Sequence, residues 1–375
     1  MNKKLLAVAI SAALSAPMLA QADVKVGGIA QVEIAVEETE TTVGTVSSTV
    51  STTTTEDNSR GRFWITADED LGGGMKGLAH FEFRVDTTGA CESEGGGVAA
   101  GTGATCNTGS NVREKYVGLQ TPAGTIKLGS VQQPYKYAGG VKWDAFVTTN
   151  LEARGNGGMS GGVFGHNNFF DNSILYTSPT FAGVSVGLAY SFDDIAATST
   201  NGGGNGSTAD DGDYSLAVAW DGKFGGGFGV NVIAALSHNA DNVNILPTTD
   251  LSTDAIKLGA KFTFAKNFAV IAQYEQIEGS LVIGASDVVD DKVLFLAFHA
   301  NVGPVLIALQ YGNTEEGGVG VNRDIDYLAL GAFYNFSKTF NVFTGYRITD
   351  SSQTLPAGVN DAETQVFTLG MRKTF

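Results

Sequence analysis

Gln365-Val366-Phe367-Thr368-Leu369-Gly370-Met371-Arg372-Lys373-Thr374-Phe375 closes the chain, and its reading decides the fold. Successive side chains of a strand point to opposite faces, so Phe367, Leu369, Met371 and Phe375 share one of them. A soluble strand seldom finishes on an exposed aromatic. A strand that closes a membrane barrel turns apolar side chains toward lipid and sets aromatics at the water boundary. The other end agrees: Lys3 and Lys4 precede an apolar run from Leu5 to Leu14, and Ala20-Gln21-Ala22 forms a small-x-small cleavage site. Residues 1–22 are expected to be a signal peptide and 23–375 one exported barrel. As a membrane anchor the apolar run is too short.

The chain has 375 residues, 50 glycines and 7 prolines, and 43% of it is hydrophobic. After the leader no apolar stretch reaches the roughly 18 residues a spanning helix needs. Apolar content without apolar runs is what period-two alternation produces. The net charge of −16, or −18 without Lys3 and Lys4, excludes a nucleic-acid partner, whose phosphates require a basic surface. Cys91 and Cys106 are the only cysteines and share the loop-like stretch 86–111. In an oxidising compartment they are expected to bond to each other, with a loop-closure gain of roughly 3 kcal/mol. No further ligands stand near them for a metal.

Alternation recurs along the chain. Val184, Val186, Leu188, Tyr190 and Phe192 oppose Ser185, Gly187, Ala189 and Ser191; Ile256, Leu258, Ala260, Phe262 and Phe264 oppose Lys257, Gly259, Lys261 and Thr263. Residues 214–220, 228–237 and 328–336 repeat the pattern. The stretch 293–300 is apolar on both faces, and its register is not readable. A soluble sandwich also alternates, but here the face opposite the apolar one is small and polar. Aromatics also flank short turns in pairs: Trp220 and Phe228, Phe264 and Phe268, Phe336 and Phe340. That pairing is an interfacial girdle. Short connections near 71–74, 121–124, 178–183, 221–225, 265–267, 301–304 and 337–339 interleave with long ones at 37–59, 86–111, 130–172, 193–211, 239–253, 279–290, 313–324 and 349–359. The count implies an all-β, transmembrane antiparallel β-barrel of about sixteen strands around an aqueous lumen.

Several short segments, in this order and spacing, carry a family likeness. They are Ser59-Arg60-Gly61-Arg62-Phe63 with Glu69-Asp70-Leu71-Gly72-Gly73-Gly74-Met75-Lys76, Tyr116-Val117-Gly118-Leu119 with Gly124-Thr125-Ile126-Lys127-Leu128-Gly129, Asp171-Asn172-Ser173-Ile174-Leu175-Tyr176-Thr177-Ser178-Pro179 with Phe181-Ala182-Gly183, and the terminal Gly370-Met371-Arg372-Lys373-Thr374-Phe375. From Asp23 to Phe375 the chain resembles the trimeric, sixteen-stranded general porins of Gram-negative bacteria. Ser130 and Leu175 depart from the family's pattern, which is often basic there. The resemblance implies an outer-membrane homotrimer embedded in lipid and lipopolysaccharide. It further implies assembly by the barrel-assembly machinery through the strand ending at Phe375, and no cofactor.

The resemblance also makes residues 130–172 the third loop, folded into the lumen and narrowing it. That loop mixes glycine with Tyr135, Tyr137, Trp143, Phe146, Phe164, Phe169 and Phe170, too aromatic for a solvated tail. Asp144, Glu152 and Asp171 are its acidic candidates for the narrowing. Facing them, alternation puts Arg62, Glu82, Arg84 and Lys127 inside, with Arg60 near the loop end. Arg113 and Lys115 share a face with Val117 and Leu119; alternation leaves them ambiguous, and the family analogy turns them inward. The implied function is a water-filled channel for passive diffusion of small hydrophilic solutes and ions, with a weak cation preference that fades as salt rises. A substrate-specific porin of the same fold is the alternative.

Two motifs point elsewhere. Gly72-Gly73-Gly74-Met75-Lys76-Gly77 fits a dinucleotide fingerprint, but a strand follows where a helix is needed. Gly158-Met159-Ser160-Gly161-Gly162 fits a nucleophile elbow with His166 nearby, which makes a lipid hydrolase the enzymatic rival; no strand–turn–helix surrounds the serine.

Overall fold

The computed structural model describes residues 22–58, 60–88, 113–161, 166–192, 212–239, 251–281, 287–318, 321–355 and 358–375. The leader and both cysteines, with the disulfide expected between them, lie outside the described residues. Seventeen strand segments follow one another: β1 (Asp23–Val43), β2 (Val46–Glu56), β3 (Arg62–Gly72), β4 (Met75–Arg84), β5 (Lys115–Thr121), β6 (Gly124–Gln132), β7 (Phe169–Thr177), β8 (Val184–Ser191), β9 (Tyr214–Phe224), β10 (Phe228–Asn239), β11 (Leu251–Phe264), β12 (Phe268–Leu281), β13 (Asp287–Val302), β14 (Val305–Gly318), β15 (Val321–Ser337), β16 (Phe340–Leu355) and β17 (Gly358–Thr374). All pair antiparallel. The ring closes where Ile29 to Val43 of β1 run against Thr374 to Asn360 of β17.

Seventeen segments make sixteen staves, because β2 and β3 are one stave with a break. The upper half of β1 pairs with β2 and its lower half with β3. At the break Asn58 has φ +46°, and a Cβ on Gly61 would sit 1.8 Å from the Val85 carbonyl oxygen. Only glycine fits there. Asp57 holds the kink: its carbonyl accepts from Arg60 N (2.9 Å) and its carboxylate from Thr87 N (3.2 Å).

Six short turns fall where the sequence put them, for example Phe264 against Phe268 and Val302 against Val305, while the one expected at 221–225 lies at Gly225–Gly227 because β9 runs on to Phe224. The long connections differ. Most of 37–59, 279–290, 313–324 and 349–359 is strand, and β1 and β2 meet over the two residues Gly44 and Thr45. In the β1–β2 hairpin Thr, Ser and Val favour extended backbone and both faces of β2 meet water, so the hydrophobic alternation stops while the strand goes on. The third connection is shorter at both ends than 130–172, since β6 runs to Gln132 and β7 starts at Phe169.

Outward and inward faces separate cleanly. In β13, Leu294, Leu296 and Phe298 are exposed, while Val293, Phe295 and Ala297 are buried. This stretch is apolar on both faces because its inner face has something to pack against. On the outside, Trp220, Phe224, Phe228, Phe262, Phe264, Phe268 and Phe298 continue ring by ring around the short-turn end, with most centroids 5.4 to 6.4 Å apart. Such a belt marks the membrane–water boundary.

Candidate functional site

Between β6 and β7 the chain turns into the ring. A single helical turn, α1 (Pro134–Tyr137), begins with proline, whose missing N–H costs nothing at a first helical position. From there Tyr135, Trp143, Phe146, Leu151, Ala153 and Met159 form one apolar cluster with inward residues of β10 to β16, among them Ile271, Phe295, Tyr327 and Phe333. The inserted segment is therefore packed against the inner wall.

Polar bonds fix it at both limbs. Glu275 of β12 accepts from Tyr135 Oη (2.8 Å) and from Ser160 Oγ (2.6 Å), and Asn167 Nδ2 reaches Ser160 Oγ at 2.6 Å. Lys257 of β11 stands 3.7 Å from Glu275, donates to the Tyr135 carbonyl (3.1 Å) and lies over its ring. Lys257 and Glu275 are each only 1% exposed, so each charge is stabilised by the other. Further along, Gln31 Nε2 donates to Thr148 O (2.6 Å), Asn150 N to Glu33 Oε2 (3.2 Å), and Tyr327 Oη to Leu151 O. Where the segment crosses β14, a Cβ on Gly312 would come 2.1 Å from Gly158 Cα; two glycines make that approach possible.

The loop's acids do not stand free. Asp144 accepts from Phe146 N (2.7 Å) and Ala153 N (2.9 Å) and is buried. Burial, and then the Glu152 carboxylate, push its carboxyl up to about 7. Glu152 accepts from Thr148 N (2.7 Å) and pairs with Arg154 (2.8 Å). Asp171 lies elsewhere: Asn172 has φ +47°, the register shifts beside it, and the Asp171 carboxylate is in electrostatic reach of Lys115. Lys115 pairs in register with exposed Phe81 and lies over the Phe83 ring, so it too belongs to the outer face. The inward placement of these two is corrected. For Lys115 alternation left the face open, and the structure puts it on the face it shares with Val117 and Leu119.

The basic residues converge. Arg113, just before β5, is buried and donates from Nε to Glu82 Oε1 (2.8 Å); Arg62 stands 3.6 Å from the same oxygen. Arg60 is in electrostatic reach of Arg113, Arg372 and Glu152, and Arg62 of Arg60 and Arg113. Arg84 stands 3.9 Å from Asp57. Lys127 pairs with Glu114 (3.2 Å) and lies over the Tyr116 ring, which stacks on His80. Arg372 was not singled out from the sequence, although Leu369 and Met371 facing lipid already imply that it points inward. Lys257, flanked by Ile256 and Leu258, carried the same signal. Ser160 is committed to Glu275 and Asn167, while His166 contacts the Tyr135 ring and has no hydrogen bond on either nitrogen among the described residues. Ser160 and His166 do not pair.

A ring of sixteen antiparallel staves, a buried segment across its interior and arginines on the wall beside it are now defined. The family model of the Gram-negative porins matches residues 7–354. The chain belongs to the Gram-negative porins. This porin is similar to the major outer membrane protein P.IB of Neisseria gonorrhoeae, with 29% identity over 212 residues. That match takes in 55% of this chain and spans about half, 51%, of the relative. In fold it is similar to an anion-selective porin from Comamonas acidovorans, with a TM-score of 0.67, 21% identity and coverage of 95% of this chain and 100% of that one. A trimer form of OmpT from Vibrio cholerae aligns with a TM-score of 0.59 and 14% identity over 93% of this porin and 99% of that chain. The porin resides in the outer membrane of a Gram-negative bacterium.

Proposed function

We propose that this porin is a water-filled diffusion channel for small hydrophilic solutes, working without catalysis, and that its narrowing favours anions. The observation that carries this is the imbalance across the inserted segment. Arg60, Arg62, Arg113 and Arg372 cluster on the wall, with Glu82 shared by Arg62 and Arg113, while Asp144 is turned into its own loop and Glu152 is paired with Arg154. A fixed cationic surface in a narrow aqueous passage lowers the energy of a passing anion at contact distance. This reverses the weak cation preference expected from the sequence, which rested on the acidic loops at the mouth and on the basic charge missing at Ser130 and Leu175.

The working unit is proposed to be a homotrimer in lipid and lipopolysaccharide, made from a precursor cleaved after Ala22. Planar-bilayer recording under a potassium chloride gradient is the test. The reversal potential is expected on the chloride side, with no saturation by sugars. A potential on the potassium side would refute anion preference, and the absence of stepwise conductance would refute the channel itself.

A further inference from the structure

Arg372 lies three residues before the end of the chain, on the strand that closes the ring. Its Nε donates to Gln31 Oε1 (2.6 Å) on β1, and Gln31 passes the contact to the loop through Thr148 O (2.6 Å). One of its Nη atoms donates directly to Val147 O (3.4 Å). The guanidinium is held over the Phe333 and Phe343 rings, with centroids at 5.7 and 5.8 Å. Beside it Glu33 accepts from Asn150 N and, at 2.6 Å, from Thr368 Oγ1 of the same closing strand. The loop tip, residues 147–150, is thus hung from the β1–β17 seam, on the other side of the ring from the Lys257–Glu275 tether. The same guanidinium is in electrostatic reach of Arg60, Arg62 and Glu152.

We propose that Arg372 is a specificity-determining and positioning residue of the pore: it supplies the fourth cation of the basic wall and at the same time sets how far the loop tip stands from that wall. The inference rests on the channel reading above. The side chain suits both tasks. A guanidinium presents several N–H groups in a planar fork and keeps its charge, so it can direct one bond to Gln31, another to the loop backbone, and stack on aromatic faces. Lysine would keep the charge without the fork. Glutamine would keep a donor without the charge.

The two roles separate in bilayer recordings of Arg372→Gln, Arg372→Lys, Gln31→Met and Gln31→Glu, using variants that run as folded, heat-modifiable barrels. Arg372→Gln is expected to lower the chloride-to-potassium permeability ratio about twofold. Arg372→Lys should hold that ratio near wild type but raise open-channel noise and sub-conductance dwell. Gln31→Met breaks the relay to Thr148 with Arg372 in place, so it should raise noise alone. Gln31→Glu sets a carboxylate against the guanidinium and should lower the ratio. These two changes lie on β1, so they carry the test even if changes on the closing strand block assembly. An unaltered ratio in Arg372→Gln or, failing its assembly, in Gln31→Glu overturns the charge role. Wild-type noise in both Arg372→Lys and Gln31→Met overturns the positioning role. A wild-type channel that does not conduct counts against the channel reading instead, since every comparison here is to wild type.

Discussion

Burial, and then the Glu152 carboxylate, outweigh the two backbone N–H groups that Asp144 accepts inside its own loop, so it keeps its proton up to about pH 7. In the unfolded chain it would lose that proton near pH 4. Between those values the folded state binds more protons, so this group's contribution to stability is greatest at acid pH, falls as pH rises through that window and levels off above about 7. Replacing Asp144 with Asn should flatten thermal stability against pH across it. The change should also abolish a drift of the reversal potential toward cations as pH passes 7. An unchanged slope would mean that another group titrates there. Lys257 and Glu275 make a second residue-level case. Glu275→Ala leaves a buried ammonium without its counter-charge and should lower stability by about 3–5 kcal/mol, whereas Lys257→Met with Glu275→Leu should cost far less. Equal losses in unfolding experiments would remove the pair as a tether. Facing was legible at these positions, because Ile256 and Leu258 turn Lys257 inward. The charge state of Asp144 was not, because it depends on how a glycine-rich loop folds this carboxyl away from water and beside Glu152.

Strands were read well wherever one face met lipid, and poorly wherever both met water. The β1–β2 hairpin above Glu38 is the example: its threonines and serines favour strand, yet no apolar period marks them. Asp171 failed for the opposite reason. Counting back by twos from buried Ser173 and Leu175 points it inward, but Asn172 in the left-handed region inserts a bulge that turns it out. The break between β2 and β3 was likewise invisible, although Gly61 was in view within a quoted motif. Its role is now testable. Gly61→Val would drive a side chain into the Val85 carbonyl and separate β3 from β4 at their upper end. Folded, heat-modifiable barrel should drop several-fold in yield, while Gly225→Ala in the turn between β9 and β10, where a Cβ meets nothing within 4 Å, should fold at near wild-type yield. Wild-type yield for Gly61→Val would show that the break tolerates a side chain.

Across the whole molecule the charge is arranged in two tiers of opposite sign. The strongly acidic net charge sits largely on the outer ends of the strands, and some of it in direct cross-strand register: Asp326 faces Asp350, Asp350 faces Glu363, and Glu363 faces Glu40. Like charges so placed repel, and they lie above the lipid-facing Leu330, Tyr346, Phe367 and Val36 of the same strands. The arginines lie inside. The two tiers respond differently to salt. At 0.01 M the screening length is about 30 Å, so the outer carboxylates act on any ion nearing the mouth; at 0.15 M it is about 8 Å, and only groups at contact distance matter. Anion preference should therefore be small at about 0.01 M, greatest near 0.15 M, and smaller again toward 1 M, where a length of about 3 Å screens the arginines too. Reversal potentials at a fixed gradient ratio and several mean concentrations measure this directly. Replacing Glu40, Asp326, Asp350 and Glu363 with amides should raise the low-salt value and leave the 0.15 M value unchanged. A preference that only declines as salt rises, in both proteins, would show that the acidic rim does not act on the permeating ion.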